Sequence, residues 1–513
     1  MVFENILNTN VNEKILILGF GSENQQFVKW LLEVIKIPAQ KLIIADKQDN
    51  LENELISKYN LKTFLGEKYL SSLELQDVEW VFKAPGIWSL LPEITAFRNK
   101  KGEDRVNSSL VFFLEKFSDQ IIGVNGTKGK TTTSTLITYL INEMNPASLS
   151  GDSSNKVASK KLQAFYCGNT SGISPYQFWT TPSQEVYENT YFVIELSSFQ
   201  LQDLGFAKVS PKYAVITNYY IDHLDQHLNK EEYWAAKESL FKYQQNGLTV
   251  ANVQVLENSL NLKNQKNLIL VTKKDSEIFK NLSSSLIGEH NLFNILNGLF
   301  LLESIFSGTT NKQVLTENIL NRLGYYSKIL LAFTPLSHRL ELVNSIQKEI
   351  TVQNSVLNLE VNFYDDGFAT EPDAVVSGIK ALTSKENEFL WLQIAGKDKG
   401  SELSNIVKTI NENKSKMFKI DYCGKVGARL NLEIGNAPAE IVSFRETVEN
   451  LFTYFQSTFR KDFKTLLDAK TLKKDTLILN LLFSPGGSSF DEFNNQTERA
   501  NWWTAKVKAI EIL

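Results

Sequence analysis

Residues 121–136, IIGVNGTKGKTTTSTL, set a lysine and three consecutive threonines behind a short loop with two glycines. An apolar run precedes the loop, and the helical pattern TSTLITYLINE follows it. A loop between a strand and a helix offers backbone N–H groups and a helix N-terminus to an anionic phosphate. Lys130 can reach the β and γ phosphates of a nucleotide, and Thr131 can ligate magnesium. Gly126, Thr127, Lys128, Gly129 and Thr132 complete the cradle. The pattern departs from G-x-x-x-x-G-K-[ST] at its first position, where Val124 stands in place of glycine.

Other polar groups gather at the ends of apolar runs. Glu195 closes YFVIEL and is followed by SSFQL, and a carboxylate beside a phosphate loop can hold magnesium. The chain has four histidines: His223 and His227 in TNYYIDHLDQH, His290 in GEHNLFNILNG and His338 in PLSHRLE. His223 follows the run YAVITN and is a candidate for a magnesium or phosphate contact, whereas His227 reads as a surface residue. Lys237, among Glu231, Glu232 and Glu238, has by pattern the look of an exposed helical lysine.

The elements that must position these groups alternate strand with helix. KILIL ends in Gly19-Phe20-Gly21, precedes the helical pattern FVKWLLEVI, and is followed by KLIIAD with Asp46 at its end. A second alternation starts at QIIGVNG and a third at about residue 338, with VLNLEVNFYDD, FLWLQIAG, FKIDYCG and TLILNLLFSPGG as its strands. Such alternation predicts an α/β protein of parallel, doubly wound sheets whose working residues sit at the carboxyl ends of strands. A length of 513 residues calls for two to four domains. Near-balanced charge, 54 basic against 58 acidic residues, gives no reason to expect a nucleic-acid partner. Two distant cysteines suggest neither a disulfide framework nor a zinc site. Without an apolar run of roughly 20 residues or a signal core, no membrane insertion and a cytoplasmic location are expected.

GTKGKTTT, ELSSFQL, TNYYIDHLDQH, GEHNLFN, PLSHRLE, DDGFATEPDA, GKDKG and SPGGSSFDEF occur in an order and spacing that resemble the Mur ligase family of ATP-dependent amide-forming enzymes. The resemblance spans nearly the whole chain. It implies three α/β domains: a Rossmann-like UDP-substrate domain (1–117), a P-loop ATPase-like central domain (118–335) and a Rossmann-like amino-acid-binding domain (336–513). SSFQL and the C-terminal SP-x-x-x-S-x-D-x-F most resemble the branch that joins D-glutamate to UDP-N-acetylmuramoyl-L-alanine in peptidoglycan synthesis. A monomer is expected.

By this resemblance, Lys130 and Thr131 bind ATP phosphates and magnesium, and Glu195 and His223 complete two metal positions. Asn291 and Asn294 contact adenine, and Arg339 and Asp365 meet the nucleotide from the third domain. Lys237 matches a lysine that carbon dioxide carbamylates, which converts an ammonium into an acidic metal ligand. Such chemistry needs a neutral amine. Ser22, Glu23, Asn24, Asp46 and the turn of Pro85, Gly86 and Ile87 line the UDP site, with Asn169, Ser197 and Gln200 toward the sugar-peptide. Lys399 and Ser489 match residues that bind the incoming amino acid. Transfer of the γ-phosphoryl group to a substrate carboxylate would give an acyl phosphate for the amine to attack, work that rests on positioning and charge neutralisation.

The chain departs from the family at Gly367 and Phe368, where a serine and a lysine usually stand, and at Gln496, where an aromatic residue is common. These changes bear on amino-acid specificity and leave carboxylate activation untouched. Alternatives at this point are a family ligase for another amino acid, a folylpolyglutamate synthetase, or a nucleotide-gated regulatory protein that hydrolyses ATP without ligation. A dinucleotide oxidoreductase would leave the phosphate loop unexplained, and GFGSEN breaks the G-x-G-x-x-G fingerprint at Asn24.

Overall fold

The computed structural model describes residues 13–144, 162–168, 172–183, 185–219, 229–257, 259–352, 355–438, 440–459, 461–462 and 476–510. The chain forms two compact units, Met1–Ser283 with Phe293–Leu331, and Ser284–Leu292 with Ala332–Leu513.

The first unit holds two sheets. β1 (Lys14–Leu18), β2 (Leu42–Asp46), β3 (Lys62–Leu65), β4 (Val78–Lys83) and β5 (Val106–Asn107) form a sheet of order β3-β2-β1-β4-β5. All its pairs are parallel. The order reverses between β1 and β4, so a crevice opens at their carboxyl ends. β6 (Ile121–Asn125), β7 (Gln163–Gly168), β8 (Thr190–Glu195), β9 (Tyr213–Ile216), β10 (Leu248–Asn252) and β11 (Leu268–Val271) form the second sheet, order β11-β10-β9-β6-β8-β7. It too is wholly parallel. The continuous apolar runs of these strands follow from this arrangement, because helices cover both faces of a parallel sheet.

One aromatic cluster serves both sheets. Phe27, Trp30, Phe82, Phe112, Phe113 and Phe117 pack with Tyr176, Trp179 and Phe192. The rings of Trp30 and Trp179 lie 4.1 Å apart, and Phe113 meets Phe192 edge-on at 4.9 Å. Aromatic pairs at these distances add stabilisation beyond the area they bury.

The second unit carries β12 (Glu341–Val352), β13 (Ser355–Asp365), β14 (Glu388–Ala395), β15 (Met417–Tyr422) and β16 (Thr476–Gly486) in the order β12-β13-β16-β14-β15. β13, β16, β14 and β15 are parallel, whereas β12 pairs antiparallel with β13 along its whole length. β12 lies outside the strands legible in the sequence. Its residues, ELVNSIQKEITV, mix charges with apolar groups as an edge strand does, and Lys348 and Glu349 discourage further pairing at that edge. Two apolar layers flank the sheet, one around Trp391, Phe455, Phe483 and Trp503, the other around Val375, Ile379, Ile406 and Leu430. Among the described residues, no single helix is long and apolar enough to cross a membrane.

Candidate functional site

The phosphate loop runs from the buried strand β6 into the helix Lys130–Glu143. Gly129, at φ +80°, precedes that helix, and no side chain caps it. Its first N–H groups therefore form an anion-binding terminus. A Cβ at Gly126 (φ +152°) would stand 1.9 Å from Thr217 Oγ1, and one at Gly129 2.8 Å from Asn294 Oδ1. The segment after β9 clamps the loop from below. Asn218 accepts from Thr127 N (3.1 Å) through its carbonyl and from Lys128 N (2.8 Å) through Oδ1, while Thr217 Oγ1 and Asn218 Nδ2 donate to Lys128 O. Lys130 Nζ arches over the loop and donates to the carbonyls of Gly126 and Thr127 at 2.9 and 3.0 Å. Thr131 is partly buried and Thr132 is buried, so the two threonines face different surroundings.

Two ionisable side chains converge on this loop's surroundings. Glu195, 1% exposed, ends β8 beside β6, and accepts from Tyr166 Oη at 2.9 Å. Lys237 lies in the helix Lys230–Glu238 and is 2% exposed, so the surface lysine expected from its charged neighbours is a buried one. Its Nζ donates to Thr127 Oγ1 at 3.1 Å and lies over the rings of Tyr219, Tyr233 and Trp234. Helical spacing explains the difference: Tyr233 and Lys237 are four residues apart on the inward face, while Glu231 and Glu232 open the helix outward. His223, His227 and Asn169 lie outside the described residues.

The first sheet contributes the turns at its switch point. Gly19 (φ +82°) has no room for a Cβ, which would lie 2.8 Å from Ala84 Cβ, so the turn after β1 packs against the turn Ala84-Pro85-Gly86 after β4. Asp46 accepts from Phe20 N at 2.6 Å and Gln48 N at 3.0 Å, and Asn24 Nδ2 donates to Gly19 O. Ser22 and Gly86 are exposed at the rim. Glu23 accepts from Ser109 Oγ at 2.7 Å and from Gln200 Nε2 at 3.2 Å. Burial pushes the Glu23 carboxyl above its usual range, Asp203 adds to the rise, and the two hydrogen bonds oppose it. Gln200 also completes a capping box with Ser197 at the start of the helix Ser198–Ala207. Glu23, Ser197 and Gln200 thus form one connected polar group.

Beneath them lies a pair that the sequence did not single out. Lys83, the last residue of β4, meets Asp203 at 2.9 Å, both side chains being 2% exposed. Ser89 donates to Asp203, and Arg98 donates to the carbonyl of Ser89. A lysine closing an apolar strand, VEWVFK, was the available signal.

In the second unit, Asn291 is buried and donates to Ile287 O. Asn294 belongs to the first unit, against Gly129. Asp365 is fully buried. It accepts from Gly367 N, pairs with His338 Nδ1 at 2.7 Å, and receives Thr504 Oγ1. That hydrogen bond raises the His338 pKa. The adjacent Asp366, passed over in the sequence, is pushed up to about 8 by burial, opposed by hydrogen bonds from Ser484 and Leu340 N. Arg339 places its guanidinium 5.6 Å from the Phe368 ring centre, and the His338 ring lies 5.3 Å from the same ring. Lys399 pairs with Glu371 at 2.8 Å, and Ser489 is buried. Their turns are joined, because Lys397 and Ser488 exchange backbone hydrogen bonds. Gln496 is exposed at the start of the helix Gln496–Lys508.

Residues 124–269 match the Mur ligase middle domain. A UDP-N-acetylmuramoylalanine–D-glutamate ligase of Acetivibrio thermocellus is 26% identical, covering 98% of this chain and 97% of its own. One of Clostridium kluyveri is 28% identical over 72% of this chain and 73% of its own. Among solved structures, MurF of Acinetobacter baumannii aligns with a TM-score of 0.48 at 13% identity, covering 96% of this chain and 91% of that one. Over residues 124–269 the chain is similar to the Mur ligase middle domain, and over most of its length it is similar to UDP-N-acetylmuramoylalanine–D-glutamate ligases.

Proposed function

We propose that the protein is an ATP-dependent acid–amino-acid ligase of peptidoglycan precursor synthesis, which adds D-glutamate to UDP-N-acetylmuramoyl-L-alanine through an acyl phosphate. The observation that carries this reading is the loop Gly126–Thr131, an uncapped helix N-terminus with Lys130 folded over it and the buried Lys237 hydrogen-bonded to Thr127. A nucleotide triphosphate fits this cradle, since Gly126 and Gly129 leave no Cβ between the backbone and its surroundings. Gly126, Thr127, Lys128, Gly129, Lys130, Thr131 and Thr132 would hold the phosphates. Asn291, Asn294, Arg339 and Asp365 would serve the nucleoside.

Magnesium suits the oxygen donors of this set: Thr131, Glu195 and a carbamylated Lys237 would hold two ions, with His223 adding a nitrogen donor. When bound, the ions neutralise charge on the transferred phosphoryl group. The protein's own residues orient the reactants. Lys130 steers the γ phosphate toward the substrate carboxylate, and Glu195 stays fixed by Tyr166. Lys237 is buried, 2% exposed, with its Nζ hydrogen-bonded to Thr127 Oγ1 on the phosphate loop, the place a carbamate ligand would occupy. Ser22, Glu23, Asn24, Asp46, Gly86, Asn169, Ser197 and Gln200 would receive the UDP-sugar-peptide, and Lys399 and Ser489 the amino acid. On this reading the working division of the chain is 1–117, 118–335 and 336–513.

The test is direct. The protein is incubated with ATP, magnesium, UDP-N-acetylmuramoyl-L-alanine and a panel of amino acids, and products are identified by mass. A product heavier by one D-glutamate residue supports the assignment. Clear preference for another amino acid, or for L-glutamate, overturns the specificity and leaves the ligase reading. ATP hydrolysis without any amide overturns both.

A further inference from the structure

The helix Gln496–Lys508 carries an arginine that the reading above does not use. Arg499 is 1% exposed. Its Nη2 donates to Gly487 O at 3.1 Å, while Nε and Nη1 have no hydrogen-bond acceptor among the described residues. Burial lowers its pKa to about 10, against the pull of Asp491, Asp365 and Glu492, so it stays charged at neutral pH. A buried charge with unanswered donors is costly, and few are kept without a reason.

The surroundings supply one. A Cβ at Gly396 would stand 2.7 Å from Arg499 Nη1 and 2.3 Å from Ser488 O. The guanidinium therefore lies directly beneath the turn after β14 and the turn after β16. Those turns, tied by Lys397 and Ser488, lead to Lys399 and Ser489. A third turn closes on the same helix: a Cβ at Gly367 would meet Ala500 Cβ at 2.6 Å, and Thr504 Oγ1 donates to Asp365 at 2.5 Å. Lys399 at the rim is already paired with Glu371, and Phe368 adds an aromatic face without charge.

We infer that Arg499 is a positioning and specificity-determining residue: a fixed positive charge under the turns at 396–399 and 487–489 that favours an amino acid with two carboxylates over one with a neutral side chain. This rests on the ligase reading given above. A charge held in a low-dielectric interior keeps its reach, whereas an exposed lysine is screened.

The test compares Arg499→Met and Arg499→Lys in the full-length protein by steady-state kinetics, with D-glutamate and D-glutamine as competing amino acids. Arg499→Met is expected to raise the KM for D-glutamate about tenfold, as removal of one fixed charge from a low-dielectric interior would, and to erode preference over D-glutamine by a similar factor. The KM for ATP should stay within about threefold, because the same contact is not made to nucleotide. Arg499→Lys should restore the preference. Arg499→Gln, which keeps an N–H donor for Gly487 O, carries the test where the methionine variant does not fold. Unchanged preference in the neutral variants, or equal losses for both amino acids, overturns the inference. A parent enzyme that forms no amide with any amino acid overturns the ligase reading instead.

Discussion

Lys130 and Glu23 show how far single residues carry function here. Lys130 Nζ bonds two carbonyls of its own loop, so Lys130→Ala removes a cation without opening the core. ATP turnover should fall by about 10³-fold or more, with the melting temperature near that of the parent, measured by coupled ADP release and calorimetry. Glu23 makes a pH prediction. Burial raises its pKa, so the folded protein keeps a proton that the unfolded chain releases above the ordinary value near 4.5. Stability is then greatest below that range and declines as pH rises through the folded value. Glu23→Gln should flatten the decline, seen as urea midpoints that differ less between pH 5 and pH 8 than in the parent. Lys237→Ala should be nearly inactive and regain turnover with added short carboxylic acids, if its carbamate supplies an oxygen ligand; full activity without rescue would refute that role. The types of these residues were legible in the sequence. Burial of Lys237 was not, because the charged neighbours outweigh Tyr233 and Trp234 of its own helix in a local reading, and Tyr219 reaches it from another segment.

At the scale of elements, the strand-loop-helix order around 121–143 could be read from apolar runs and glycines, since each parallel strand is buried on both faces and shows as an unbroken apolar stretch. The sequence read less well where pairing is long-range. β12 mixes charged, polar and apolar residues without a clear period, and its partner β13 gives it meaning. The Lys83–Asp203 pair, 120 residues apart in sequence, is another case. It pins the helix Ser198–Ala207 to the first sheet, so that Glu23 and Gln200 meet. Lys83→Met leaves Asp203 buried without its cation and should destabilise the first unit by about 3 to 5 kcal/mol. Lys83→Met combined with Asp203→Leu should recover most of that loss, since an apolar pair of similar volume tolerates burial. Urea denaturation of the three variants checks it, and an unchanged midpoint for Lys83→Met would remove the pair's structural role.

For the whole molecule, the proposed acyl-phosphate route would spend ATP only when a carboxylate is present. ADP release should therefore depend on UDP-N-acetylmuramoyl-L-alanine, and steady turnover on the amino acid as well. An omission series read by ADP and phosphate release would show it, and equal rates without the UDP substrate would favour a simple nucleotide hydrolase. The aromatic enclosure of Lys237 has one more consequence. The Trp234 ring lies 4.4 Å from that of Tyr219, tilted by 40°, and 5.9 Å from Lys237 Nζ, which is itself hydrogen-bonded to the phosphate loop. Indole emission shifts with the electric field across the ring. A change of charge on Lys237, or an anion arriving at Thr127, is expected to shift Trp234 emission, read as the difference between the parent and a Trp234→Phe variant.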